Sequence, residues 1–493
     1  MAPSPRYPVL YQINTRVWLR ALADSLGRPS TLDDVPDAEL DRLAGLGFDW
    51  VWLLGVWQTG LAGRQVAISK PDLRQEYDSV LPGWTDDDVC GSCFAVAGYV
   101  VHPGLGGDEA LARLRRRLSE RGLRLMLDFV PNHTALDHPW AWEHPDYYVA
   151  GTELDLARAP QNYTRVSTSE GSKVLAHGRD PYFPGWTDTL QLDYGHPAAQ
   201  EAMAAELLCV AEMCDGVRCD MAMLLLPDVF ERTWGIAAQP FWPMAIGRVR
   251  ERFPGFLFMA EVYWDLEGTL LEQGFDYAYG KRLYDRLLEQ RARPVREHLS
   301  AGLDTQGRLA HFLENHDEPC AAATFPLSVH RAAAVVTFCT PGLRFLHQGQ
   351  LEGRRVRLPV QLCRAPEEPA DPVLSEYYEQ LLSALRHPAV RDGQWRLLES
   401  IPAWEGNWTW DCFIAFAWQG ADGRSLLAAV NYALNHSQCY VRWPFAGLSD
   451  QTVCLSDLLG SAVYERRGSD LQAHGLYLDL PAWGYHLFEV TAI

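Results

Sequence analysis

Leu123–His133 reads LRLMLDFVPNH. Its first seven residues are apolar except for Arg124 and Asp128, and a proline follows shortly after. The run is too short for a helix, so it predicts a buried β-strand. Asp128, Asn132 and His133 cluster at its C-terminal end. Upstream, Glu109–Glu120 carries the amphipathic period of an arginine-rich helix. A helix, then a buried strand, then polar groups at the strand end make one unit of a parallel sheet.

Similar units recur on both sides. Val9–Leu19 alternates apolar and polar residues, and Asp49–Leu54 (DWVWLL) is another buried run. Gly216–Asp220 (GVRCD), Leu257–Glu261 (LFMAE), Phe275–Tyr277, Leu309–Asn315 and Leu343–Leu346 are further strand candidates. Helical stretches at Ala198–Met213, Lys281–Gln290 and Leu327–Phe338 fall between them. About eight strand–helix units is the number that closes a parallel (β/α)8 TIM barrel of the α/β class. An open doubly wound sheet is the rival, but no glycine fingerprint follows the first strand.

Two segments break the alternation. Residues 134–190 are rich in Pro, Gly, Trp and Tyr and show no helical period. A stretch of that length is too long for an ordinary loop and predicts a small inserted domain B after the third strand. From residue 392 to 493 the helical signals stop. Short aromatic-rich strands recur there (FIAFAW, SLLAAVNY, CYVRWPF, LYLDL, YHLFEV), predicting a C-terminal antiparallel β-sandwich. The barrel domain is expected over residues 1–391, with the insertion inside it.

The chain has 493 residues, 48% hydrophobic and 22% charged, so it is a globular protein and not a disordered one. Its formal charge of −20 repels phosphate backbones and argues against nucleic acid or anionic membrane surfaces as partners. No run of 18 apolar residues predicts a membrane span, and the N-terminus shows no apolar signal-peptide core. Eleven scattered cysteines suit reduced thiols, so the expected location is the cytoplasm. Cys90-x-x-Cys93 is the lone CxxC and, with no second pair at zinc spacing, reads as a chance pair in a loop.

Active sites of parallel barrels lie at the C-terminal strand ends. Three carboxylates, Asp220, Glu261 and Asp317, arrive there from different strands, with Asp128, Arg218, His133 and His316 beside them. Arg218 and Asp220 are two apart on a strand and share a face, so the guanidinium is expected to keep Asp220 ionised, as a nucleophile requires. Glu261 follows the apolar LFMA, and desolvation is expected to raise its pKa, as a proton donor requires. One charged and one protonated carboxylate are the equipment for cutting a glycosidic bond. Asp317 and the two histidines can hold sugar hydroxyls through charge-assisted hydrogen bonds of about 1.5–3 kcal/mol each.

These segments resemble the signature regions of the α-amylase superfamily, glycoside hydrolase family 13. DFVPNH is similar to its first region, GVRCD to its second, the Glu261 segment to its third and FLENHD to its fourth. TLQLDY (189–194), SCFAVAGY (92–99) and TPGLRFLHQGQ (340–350) resemble further family segments, in the family's order over roughly residues 7–355. The resemblance implies a retaining mechanism, with Asp220 as nucleophile, Glu261 as acid and then base, and Asp317 as transition-state stabiliser. It also implies Arg218, His133 and His316 as sugar-binding residues, Phe94 as a stacking platform and Asp128 as support for Arg218. The substrate class implied is an α-linked glucoside of maltooligosaccharide type. Transglycosylation or isomerisation, of glucan or trehalose type, is the alternative, and a non-catalytic amylase-like binding protein is a remote one. That last class typically loses the carboxylates present here.

Several departures from the family pattern bear on substrate and metal. Many relatives carry Lys-His after the nucleophile, where this chain has Met223 and Leu224. Asn132 matches a common calcium ligand, but one ligand does not make a site that needs about six to eight oxygens, so no cofactor is expected to be required. An Asp–Arg pair that closes the pocket of exo-acting relatives is replaced by Ala95 and Cys320, and Met221 leaves linkage preference open. Trp84, Trp140, Trp142, Trp186, Trp234, Trp242 and Trp264 lie in or near the expected rim loops, where indoles can pack on sugar C–H faces.

Overall fold

The computed structural model describes residues 5–493; the first four residues of the expected barrel domain lie outside it. Eight parallel strands close a barrel: β1 (Val9–Asn14), β2 (Trp50–Leu54), β3 (Arg124–Phe129), β4 (Gly216–Cys219), β5 (Leu257–Ala260), β6 (Tyr277–Tyr279), β7 (Leu309–His311) and β8 (Leu343–His347). β1 pairs with both β2 and β8, which closes the ring and leaves no free edge. The strands read as apolar runs because helices cover them outside and side chains fill the barrel inside. The helix Gly107–Glu120 shows the logic: it buries Ala110, Leu111, Leu114 and Leu118 against the barrel and turns its arginines outward. Gly122, at φ 78°, then reverses the chain into β3.

Between β3 and β4 the chain forms two small ladders. His133–Ala135 pairs with Thr189–Gln191, and Tyr163–Thr168 pairs with Gly171–Ala176. Short helices, Pro139–Glu143 and Glu153–Arg158, stand in this stretch despite its lack of a readable period. Each is too short to show one; they are set by Pro139 at the first turn and by the Thr152–Asp155 capping box.

Beyond Gly393 lie a six-stranded and a three-stranded antiparallel sheet. A helix, Gly468–His474, interrupts the strands, contrary to the expectation that helices end near Asp392. The strand limits also differ from the sequence reading. β1 stops at Asn14, and Thr15–Leu26 is a helix. β6 is Tyr277–Tyr279, two residues later than expected, and β7 ends at His311, leaving Phe312–Asn315 as irregular chain. Among the described residues no helix is long and apolar enough to cross a membrane.

Candidate active site

A cavity of about 340 Å³ opens at the C-terminal ends of the barrel strands. Asp220, Glu261, Asp317, Phe94 and His133 line it. Trp186 is the rim tryptophan that reaches it, its ring tilted 56° to that of His133 with the centroids 5.1 Å apart. Trp242 is fully buried, and Trp264 packs edge-on to Tyr182 at the periphery. Arg218 and His316, expected to bind sugar, and Asp128, expected to support Arg218, are buried and stand outside the residues that line the cavity.

Arg218 organises the floor. It is fully buried on β4, with Nη1 2.8 Å from Asp220 Oδ1 and 3.6 Å from Asp128 Oδ1. Its Nη2 lies 2.6 Å from Glu261 Oε2, and Nε donates to the Tyr279 hydroxyl at 3.3 Å. The Phe94 ring stands 5.1 Å from the guanidinium carbon, so an aromatic face covers the charge from the cavity side. Asp128 Oδ2 accepts from the Gly55 N–H at 3.2 Å, tying the β2 end to β3.

Glu261 is buried but well supplied with hydrogen-bond donors. Besides Arg218, the Met221 N–H donates to Oε2 at 2.8 Å and the Tyr263 hydroxyl to Oε1 at 3.0 Å. The carboxylate is thus buried, as LFMA suggests, but with three donors around it. Met221 makes its bond from the left-handed region, φ 43°, where a side chain is rarely found. Backbone strain of this kind costs about 1–3 kcal/mol and needs surrounding structure to hold it.

The expected electrostatics of Asp220 are reversed. Burial pushes its carboxyl up; Arg218 pulls it down, but Glu261, Asp128 and Asp317 add to the rise, and the upward direction wins. For Asp317 burial also acts upward, yet His316 and Arg218 outweigh it and take the carboxyl down to about 2. His316 Nε2 lies 3.1 Å from Asp317, and its Nδ1 is held 2.8 Å from Gln12 Nε2. His133 is driven down to about 4 by burial and is therefore neutral near pH 7.

Gln12, Tyr263, Tyr279 and the Met221 backbone were absent from the sequence-derived set. Gln12 did leave a signal, a polar residue inside the apolar β1 run VLYQIN. Asn132 is paired with the Gln191 amide, each side-chain NH2 donating to the other's oxygen at 3.2 and 3.0 Å. Met223 and Leu224 are both buried. Among the described residues no three His, Cys, Asp or Glu side chains converge to hold a metal.

Residues 37–225 match the family model for the α-amylase catalytic domain. That segment belongs to the α-amylase family. Among curated members the chain is 22% identical to α-amylase 3 of Dictyoglomus thermophilum over 385 residues, covering 73% of this chain and 68% of that one. It is 26% identical to the trehalose synthase/amylase TreS of Mycobacterium tuberculosis over 347 residues, 64% of this chain and 51% of TreS. The chain thus spans about half the length of that second relative. In architecture it follows the maltogenic α-amylase AmyB of Thermotoga neapolitana, with TM-score 0.70, 17% identity and 99% of both chains covered. Like these relatives, the chain is an enzyme, of the glycoside hydrolase or the transglycosylase kind.

Proposed function

We propose that this enzyme is a retaining α-glycosidase acting on α-linked glucosides of maltooligosaccharide type. The observation that carries the reading is one buried guanidinium, Arg218, bonded to both Asp220 and Glu261 at the cavity floor. It keeps the two carboxylates close, as double displacement needs. Asp220 attacks the anomeric carbon and forms a glycosyl ester, while Glu261 protonates the departing oxygen. Water deprotonated by Glu261 then releases the sugar and restores Asp220. Burial and the neighbouring carboxylates push the Asp220 carboxyl up, and Arg218 pulls against them. Asp317, held down by His316, supplies negative charge beside the oxocarbenium-like transition state. Phe94 and His133 face the sugar ring and its hydroxyls, and Arg218, Asp128 and His316 fix the groups that touch it.

The test uses two variants. Asp220→Asn should fold normally and lose about 10⁴-fold or more in turnover. Glu261→Gln, given α-glucosyl fluoride, whose leaving group needs no acid, should accumulate a glucosyl adduct on the Asp220 peptide, read by mass spectrometry. An adduct elsewhere, or release of the β-anomer by wild type, would refute the mechanism.

Transfer is a second reading, supported by the similarity to TreS and to the maltosyltransferase of Burkholderia pseudomallei, 25% identical over 299 residues. Product analysis with maltooligosaccharides, trehalose and added acceptors separates water from sugar as the acceptor. The reading requires no cofactor: the Asn132 amide already has a protein partner, Gln191. Turnover should therefore be unchanged after EDTA treatment, and recovery only on adding calcium would refute that. The eleven unpaired cysteines support a cytoplasmic location.

A further inference from the structure

A second cavity, about 770 Å³, is lined by Arg16, Arg20, Arg28 and Arg64, by Asp24 and Asp87, and by the thiols of Cys90 and Cys363, with Arg20 paired to Asp24 at 3.3 Å, so its cations outnumber its carboxylates. The wall between the cavities is a short antiparallel ladder. Val89 bridges Leu362, the Cys90 N–H donates to Gln361 O at 2.8 Å, and the Cys363 N–H donates to Asp88 O at 2.9 Å. In this register Cys90 and Cys363 project to the same side, diagonally across the two segments. The same two segments supply Ser92, Val360 and Gln361 to the sugar pocket.

Arg16 sets the chemistry of this wall. Its guanidinium is buried and donates to Gly55 O at 3.2 Å, Trp57 O at 3.3 Å, Gly91 O at 3.4 Å and Thr59 Oγ1 at 3.1 Å. Among the described residues no carboxylate pairs with it. A buried cation without a counter-charge is costly, and a thiolate beside it offsets that cost. Cys90 is placed to be that thiolate: the neighbouring Cys363 thiol and the Arg16 charge raise its acidity despite burial, while the two sulfurs lie against backbone carbonyls, Cys90 Sγ 3.2 Å from Gln361 O and Cys363 Sγ 3.4 Å from Asp88 O. Cys93, the other half of the CxxC, faces Asp128 and is buried and pushed upward, which leaves it inert. Both Cys90 and Cys363 are only half-buried and reach the second cavity.

We propose that Cys90 and Cys363 form an oxidisable dithiol, with Cys90 attacking an anionic low-molecular-weight disulfide that enters the arginine-lined cavity, and Cys363 resolving the product. In the first exchange Cys90 S⁻ displaces one thiolate RS⁻ from RS–SR and becomes Cys90–S–S–R. Cys363 then gives its proton to a thiolate and attacks the Cys90 sulfur, expelling the second RS⁻. The net change is two protein thiols oxidised to one disulfide and one small-molecule disulfide reduced to two thiols. The new bond clamps the ladder that carries Ser92, Val360 and Gln361, and so changes sugar binding. That coupling rests on the proposed sugar site; the thiol chemistry does not.

The test treats the reduced full-length chain with oxidised glutathione and follows intact mass and non-reduced peptide maps. Wild type should lose two hydrogens and yield a linked Cys90–Cys363 peptide. Cys363→Ser should hold glutathione on Cys90, and Cys90→Ser should stay reduced at position 363. Cys209, exposed and with its acidity lowered by burial and acidic neighbours, is the internal control and should react more slowly. Reaction at Cys209 ahead of Cys90, or a stable mixed disulfide on wild-type Cys90, would overturn the pair. Oxidation should also shift KM for a maltooligosaccharide severalfold, reversibly with dithiothreitol and not in Cys90→Ser. A linked peptide with unchanged KM would overturn the clamp. Absence of turnover in both redox states would count against the glycosidase reading and leave the mass result to decide the dithiol.

Discussion

Asp220 shares a buried floor with Asp128 and Glu261, faces Asp317 across the cavity, and has Arg218 as its cation. Its carboxyl is therefore held above the ordinary value near 3.9. The sign for stability follows. A carboxyl raised on folding contributes fully below its unfolded value and loses that contribution as pH climbs through the folded one. Asp220→Asn removes a charge the fold resists, so its melting temperature should exceed that of wild type increasingly from about pH 4 to about pH 8. Thermal unfolding across that range checks it; a constant difference would show that Asp220 does not titrate upward. The carboxylates themselves were legible because four strand ends carried ionisable groups. Their protonation was not, since it depends on distances between residues far apart in sequence: Glu261 lies 43 positions beyond Arg218 yet 2.6 Å away. Tyr279, which bonds Arg218, sits on β6 among core residues and gives no sign in sequence of facing the guanidinium.

β1 shows how an element can be misread for a physical reason. Gln12, Asn14 and Arg16 are spaced two apart after the apolar start of the run, which suggests a period of two continuing toward Leu19 although Thr15 interrupts it. Each of the three is polar for a different purpose. Gln12 holds His316, Arg16 grips carbonyls of the β2 loops, and Asn14 caps the helix Thr15–Leu26. The cap is an Asn14 side-chain oxygen accepting from the Val17 N–H at 3.3 Å. The strand pattern decides the sequence expectation, and the structure shows the cap instead. Asn14→Ala should lower unfolding stability by about 1 kcal/mol, measured by denaturant titration, because the first helical turn loses its acceptor. No change would mean that the Gln348 side-chain oxygen, which accepts from the Asn14 N–H at 3.1 Å, fixes this turn by itself.

At the scale of the molecule, the strands Phe413–Gln419 and Ser425–Asn431 are buried on both faces, which is why they read as unbroken apolar runs. Alternate residues enter different cores. Phe413, Ala415, Leu427 and Ala429 pack within the C-terminal sheets, whereas Ile414, Phe416, Trp418 and Leu426 join the barrel's own cluster. The sequence made both the barrel and the sandwich legible, but not this shared core, because a run buried on two sides does not name its neighbours. Trp418 is the centre of the junction: its Nε1–H donates to Cys339 O at 2.7 Å and its ring meets Tyr7 edge-on at 5.2 Å. Tyr7 directly precedes β1 through Pro8, and Cys339 lies shortly before β8, so the contact touches the seam where the barrel closes. Trp418→Ala should therefore cost about 3–5 kcal/mol, as expected for a large buried ring. It should lower one cooperative transition and not split it, because the barrel would expose the apolar surface that Ile414, Phe416, Trp418 and Leu426 cover when that sheet departs. Calorimetry with parallel activity loss checks this; two separated transitions, the hotter one retaining turnover, would show that the barrel stands without its C-terminal sheets.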